Sequence, residues 1–380
     1  MLRLGRTSLG YSRRFYRVLA IESSCDDTCV ALLERPSEKE VYLVEHLKST
    51  LNSVKEGGII PTRAFDHHQA SIATLTQQII KSHGLHSNPP DLICVTRGPG
   101  MKGSLSIGLD FAKGLSVAWA KPTVGVHHML GHLLTPRFET FNTSSGPKFP
   151  FLTLLISGGH TMLVLSKGIL EHEILCDTID VACGDALDKC ARSLGLRGNN
   201  LGKELETYVQ STQDHWFNHT FNDIPKPLYN KRGRVDQLAF AFGAFQGYVN
   251  KQVASPQFQD SHRPSLAYQI QKGIFDHILN KIELTLSKNQ DKLQGCKDFV
   301  GSGGVASNMA LRQSLDNYFH SKNFNTHYPS LGLCTDNAVM IGWAGIELYE
   351  SGLTTELEVC PISKWPLSEI ESVSGWIKNK

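Results

Sequence analysis

Two stretches of this chain repeat one pattern: an apolar run, a short polar turn, a second apolar run. VLAI, ESSCDDT and CVALL occupy residues 18–33; FLTLLI, SGGHT and MLVL occupy 151–165. Short apolar runs bounded by polar turns read as buried strands, so each stretch predicts a β-hairpin. Two such units, about 130 residues apart, point to an internally duplicated, two-lobed fold. Helix-like segments at 64–82 and 104–120 and a strand at 91–96 lie between them. A helix at 263–287, the strand-like DFV, the turn GSGGVASN and the helix MALRQSLDNYF follow. Strands alternating with helices make the fold class α/β. The expected division is a leader at 1–17, lobes at 18–150 and 151–345, and a C-terminal tail at 346–380 packed on the fold. The polar stretch 211–236 reads as an exposed loop.

Composition narrows the function. Residues 1–17 hold five arginines and no acid. Without them the 38 basic residues fall to 33 against 36 acids, a balance of about −3, so the body is not a nucleic-acid binder by charge alone. The Arg-rich, acid-free leader fits a mitochondrial transit peptide; a basic disordered tail is the alternative. No apolar run approaches the roughly 18 residues that span a bilayer, so no membrane partner is expected. Nine cysteines without a CxxC pair read as small buried residues in a reducing compartment.

GVHHMLGH (125–132) places His128 and His132 four residues apart, on one face of a helix. A zinc protease of the HExxH kind needs a glutamate after the first histidine, where this chain has Met129. Asp336, in CTDNAVM before an apolar helix, is either an N-cap or a third ligand. Two histidines and a carboxylate suit zinc or non-haem iron. Four glycine turns, TRGPGMKGS, SGGH, NNLGKELE around Gly202, and SGGVASN, sit where backbone amides can converge on an anion. None matches the P-loop pattern. Asp26 and Asp27, in the first hairpin turn, and Asp188, on a helical pattern, complete the candidate chemistry.

Taken together, AIESSCDDT, EGGIIP, TRGPGMKGSLSIGL, KPTVGVHHMLGH, LLISGGHT, DTIDVACGDALDKCARSLGL, GGVASN and CTDNAVMIG resemble one family in order and content. It is the universal tRNA N6-threonylcarbamoyladenosine transferases, formerly called glycoproteases, and the leader suggests a mitochondrial-matrix member. The resemblance implies the duplicated actin, Hsp70 and sugar-kinase (ASKHA) fold with its ligand in the cleft. It implies one divalent ion, zinc or iron, on His128, His132 and Asp336. Threonylcarbamoyl-AMP would be held by Leu155, Ile156, Ser157, Gly158 and Gly159, with Asp188, Gly202, Glu206, Ser307 and Asn308 completing the pocket. Acidic residues stand near the reacting centre where this chain has Asp26 and Asp27, and one of them is the expected base. The implied reaction moves the threonylcarbamoyl group to the adenosine 3′ of the anticodon in tRNAs reading codons that begin with A. The implied partners are a tRNA anticodon loop, a threonylcarbamoyl-AMP synthase and a second copy of the chain.

The sequence departs from that family in PTRAFDHH (61–68), which keeps only Pro61, Ala64 and His68 of the family's motif, and at Val181, RGNNLG and LAFAFGAFQ. His127 stands where the family's bacterial members more often have asparagine and is left out of the metal set. Lys226, Lys231, Arg232 and Arg234 are candidates for phosphate contacts, with a solvated loop as the alternative. Rival readings are a metallopeptidase, against which Met129 argues, an ASKHA-fold ATPase or small-molecule kinase, and a binding protein with a decayed site.

Overall fold

The computed structural model describes residues 15–53, 58–230 and 232–379. The expected leader as far as residue 14, Lys231 and the side chain of Arg234 lie outside the described residues. The first half opens with a meander, β1 (Tyr16–Glu22), β2 (Asp27–Ser37) and β3 (Glu40–Thr50). Helix α1 (Pro61–Ser82), strand β4 (Leu92–Gly98), helix α2 (Lys102–Trp119), strand β5 (Thr123–His127) and helix α3 (His128–Thr140) follow. A second meander comprises β6 (Phe151–Ile156), β7 (Thr161–Ser166) and β8 (His172–Thr178). Next come α4 (Cys183–Ser193), α5 (Leu201–Ser211), the short hairpin β9 (Tyr229–Asn230) and β10 (Gly233–Arg234), β11 (Ala239–Phe240), α6 (Gly243–Val253) and α7 (Arg263–Lys288). The remaining elements are β12 (Asp298–Ser302), α8 (Met309–His320), β13 (Asn325–His327), α9 (Ala338–Glu350), β14 (Leu353–Thr355) and β15 (Trp376–Lys378).

The two large sheets run β3-β2-β1-β4-β5 and β11-β8-β7-β6-β12-β13. In each, three meander strands are antiparallel, and two later strands add parallel to the first of them. The duplication anticipated from two hairpins therefore extends to connectivity. β1 and β6 end up central, covered on both faces, which is why each is a continuous apolar run.

Strand alternation divides the first core. Leu19 and Ile21 face α1 and α2, while Val18 and Ala20 face α9 and α3. α1 buries Ala64, His68, Ile72, Thr76 and Ile79, a helical stripe. α9 is apolar nearly all round, and such a helix belongs between layers. It starts within 151–345 and runs past that boundary to Glu350, yet Met340, Ile341 and Trp343 pack with the first sheet. Phe151, Leu155 and Val164 of the second sheet join the same cluster, so α3 and α9 sit between the sheets. β1 begins at Tyr16, whose hydroxyl donates to Glu350 (2.9 Å), so the fold starts inside the segment 1–17. The tail beyond residue 350 pairs β14 with β15 and buries Trp365, Leu367 and Ile370 in that shared core. The stretch 211–236 is mostly irregular and carries the β9–β10 hairpin. No described helix is long and apolar enough to cross a membrane.

Candidate functional site

The N-termini of α3 and α9 open into a cleft of about 1220 Å³ between the sheets. His128 and His132 project from the first turns of α3, with ring centroids 4.9 Å apart. Asp336 precedes α9, but the cap of that helix is Asn337, whose side chain accepts from the Met340 amide (2.8 Å). Asp336 is thereby left to the histidines: its Oδ1 lies 3.0 Å from His132 Nε2 and 3.5 Å from His128 Nε2. The donor atoms of all three residues fall within 4.8 Å of one another. Two imidazole nitrogens and one carboxylate oxygen so gathered fit a divalent ion of the zinc or iron type.

A carboxylate behind the triad orients it. Glu22, fully buried at the end of β1, places Oε2 3.1 Å from His128 Nδ1, which turns Nε2 toward Asp336. Glu22 is fixed in turn by the Ser24 amide (2.5 Å) and the Thr96 hydroxyl. Burial opposes charge here, yet the flanking Glu22 and Asp336 carboxylates hold the His128 imidazole well above its ordinary value.

The structure separates the two aspartates of the first turn. Both oxygens of Asp27 are engaged, Oδ1 by the Thr50 hydroxyl (2.5 Å) and Oδ2 by Lys48 Nζ (2.6 Å). Burial, only partly offset by Lys48, pushes Asp27 up to about 6. Asp26 is half-buried and lines the cleft; burial, and then the charge of Asp336, raise it above the usual carboxylate range. His68, retained from the family's motif, locks this turn by bonding the Cys25 carbonyl (2.9 Å) and the Thr28 hydroxyl (2.8 Å).

Across the cleft the second hairpin turn offers backbone. Ser157 Oγ accepts from the Gly159 and His160 amides (3.3 and 3.1 Å). Neither Gly158 nor Gly159 has positive φ, and a Cβ on either would meet nothing within 4 Å. Their bareness keeps the turn's backbone open to a ligand. Gly184, at the start of α4, is there for a different reason: a Cβ would lie 2.7 Å from the Ser157 carbonyl. Gly303 has φ 102°, and its Cβ would lie 2.4 Å from the Ile156 carbonyl. Asp188 accepts from the Gly202 amide (2.7 Å), joining α4 to α5. Glu206 accepts from the Met309 amide (2.8 Å) and from Lys203 (2.9 Å), while Asn308 caps α8.

Ser157, Gly158, Gly159, Asp188, Gly202, Glu206, Ser307 and Asn308 line one cleft with His128, Asp336, Asp26 and Asp27. Leu155 and Ile156 do not. They are β6 residues whose side chains are wholly buried in the cores on either face of the sheet. Lys226 and Arg232 are exposed and lie outside the cleft lining. Lys189, Arg192, Arg197 and Lys203, absent from the sequence reading, do line it. Glu22, Lys48 and His160 were also missed. Glu22 and His160 stand inside quoted motifs, but Lys48 on β3 carries no local signal.

A duplicated two-lobed α/β fold with a His–His–Asp cluster and a glycine turn in one cleft has the architecture of the actin, Hsp70 and sugar-kinase class, with a candidate metal and ligand site in the cleft. Residues 43–343 match the family described as "TsaD: tRNA N6-adenosine threonylcarbamoyltransferase". The mitochondrial tRNA N6-adenosine threonylcarbamoyltransferase of Schizosaccharomyces pombe is 36% identical over 393 residues, covering 99% of this chain and 92% of that protein. The chain belongs to the tRNA N6-adenosine threonylcarbamoyltransferase family. Among solved structures, full-length HypF in its phosphate- and nucleotide-bound form gives a TM-score of 0.56 at 13% identity, covering 87% of this chain and 55% of that one. HypF of T. kodakarensis gives 0.53 at 12% identity, covering 89% and 48%. This chain thus spans about half the length of those structures, and the likeness is one of fold.

Proposed function

We propose that this cleft transfers a threonylcarbamoyl group from threonylcarbamoyl-AMP to N6 of the adenosine 3′ of the anticodon, in mitochondrial tRNAs reading codons that begin with A. The observation that carries the reading is that Asp26, His128 and Asp336, the last two clustered with His132, line one cleft with the Ser157–His160 turn. The reacting carbon can sit between a base and the bare backbone of a glycine turn.

The adenosine amine is a poor nucleophile because its lone pair is delocalised into the purine. Asp26 takes a proton from N6 as the new N–C bond forms to the carbamoyl carbon. The C–O bond to phosphate breaks, and AMP leaves with that electron pair. A raised carboxylate suits a general base working near neutrality. Asp27, tied to Thr50 and Lys48, positions the turn instead. Ser157, Gly158 and Gly159 bind the adenylate through main chain, and Asp188, Gly202, Glu206, Ser307 and Asn308 frame its pocket. A divalent ion, zinc or iron, on His128, His132 and Asp336 would supply positive charge to the mixed-anhydride oxygens. The target base lies in a single-stranded loop and can be splayed out at modest cost. The chain acts in the mitochondrial matrix, as a homodimer, beside a synthase that makes the adenylate.

The test incubates the protein with such a synthase, ATP, bicarbonate, labelled threonine and unmodified tRNA. Label on the tRNA that disappears with His132→Ala supports the reading. No label from an active synthase, with phosphate passed from ATP to a small molecule instead, would sink it in favour of a kinase.

A further inference from the structure

His127 takes no part in the cleft, yet its ring is placed with two specific bonds. Nδ1 accepts the Met129 amide hydrogen (3.1 Å), so that nitrogen carries no proton. Nε2 therefore holds the ring's hydrogen and donates it to the Trp365 carbonyl (2.9 Å), with the two rings 4.8 Å apart. Met129 is the second residue of α3, so His127 is its N-cap, and the helix begins with His128 itself.

Trp365 belongs to the segment between β14 and β15, which runs along the cleft-facing ends of β4 and β5. Ile362 donates its amide to the Arg97 carbonyl (2.8 Å), and the Gly100 amide donates to the Ser363 carbonyl (3.2 Å). Arg97 Nε reaches the Cys360 carbonyl (3.2 Å), and Lys113 Nζ the Val359 carbonyl (2.6 Å). The Pro99–Met101 turn held in this way lines the cleft.

We propose that His127 is a positioning residue that couples this C-terminal strap to the metal helix. It fixes the first turn of α3, and with it the directions of His128 and His132, against a carbonyl more than 200 residues away in sequence. The inference rests on reading His128, His132 and Asp336 as a metal site. The tautomer it needs is set by an amide on one side and a carbonyl on the other. No charged partner is required.

The experiment titrates zinc ion against the full chain, using a competing chromogenic chelator, and records melting of the same samples. His127→Ala should bind zinc about 10- to 100-fold more weakly, the range for residues that orient metal ligands. His127→Asn, whose amide oxygen can cap the same N–H but whose side chain is too short to reach the Trp365 carbonyl, should recover only part of that loss. Trp365→Ala should weaken zinc binding less, and add nothing on top of His127→Ala, as links in one chain do. A His127→Ala protein that melts early but holds zinc like the wild type would reduce the residue to a structural cap. Additive losses in the double variant would break the link to the strap. If His127→Ala fails to fold, His127→Asn decides the matter, and zinc held there as tightly as by the wild type overturns the coupling. His132→Ala separates the two readings: zinc held as tightly as by the wild type would remove the metal site, and this inference with it.

Discussion

The β1–β2 turn and the β6–β7 turn occupy equivalent places in the duplicated sheets, yet they are built from opposite materials. The first holds Glu22, Ser24, Cys25, Asp26 and Asp27, and side chains from elsewhere lock it: His68 on the Cys25 carbonyl, Thr50 and Lys48 on Asp27. The second holds Ser157, Gly158, Gly159 and His160, and its bonds are mainly its own. Both lie at carboxyl ends of central strands, where ligands bind in open α/β sheets. On the proposed reading, the repeated frame divides the labour. One turn supplies charge that must be placed accurately; the other supplies bare backbone against which a substrate can lie.

If that division holds, variants of the first half should change the chemical step and those of the second should change binding. His132→Ala should have the largest effect. Loss of the ion forfeits several kcal/mol of charge stabilisation, about a 10³-fold fall in transfer rate, with adenylate binding reduced less. Asp26→Asn comes next, with a loss of about a hundredfold or more in turnover, the lower part of the general-base range. Single-turnover kinetics with preformed threonylcarbamoyl-AMP would measure both. Asp27→Asn should cost less than Asp26→Asn, because its oxygens already have partners; the reverse order would exchange their roles. Gly184→Ala tests the other side. Its Cβ would press on the Ser157 carbonyl, a strain of about 1–3 kcal/mol. The result should be weaker AMP binding by calorimetry, with metal content unchanged.

The same contrast explains what could be seen in the sequence. Both hairpins were legible because central strands leave unbroken apolar runs, and His128 and His132 because four-residue spacing on a helix is a local pattern. Asp336 is ambiguous in the sequence between cap and ligand, because only the structure gives the cap of α9 to Asn337. Lys48 could not be found, since its role depends on β3 being brought beside residues 335 and 336 by tertiary packing. Leu155 and Ile156 were carried in by a motif, but the pleat turns both side chains into cores. The return of α9 to the first sheet was likewise hidden, because an all-apolar helix does not say which layers it separates.

A further expected effect is one of pH on stability rather than on transfer, and it asks whether the charged turn costs the fold anything. Asp27 is pushed up to about 6 by burial, against an ordinary value near 3.8, despite its pair with Lys48. Between those values the native state holds a proton that the unfolded chain has released, so this group's contribution to stability is full below about 4. It is lost as pH rises through about 6, with a slope bounded by about 1.4 kcal/mol per pH unit for one proton. Asp27→Asn removes the titration while leaving an oxygen for Thr50. Chemical denaturation of the two proteins between pH 4 and 7 should show the wild type losing ground to the variant as pH rises. Parallel curves would mean that Lys48 compensates the buried charge fully. The first turn would then be no more costly to the fold than its glycine counterpart.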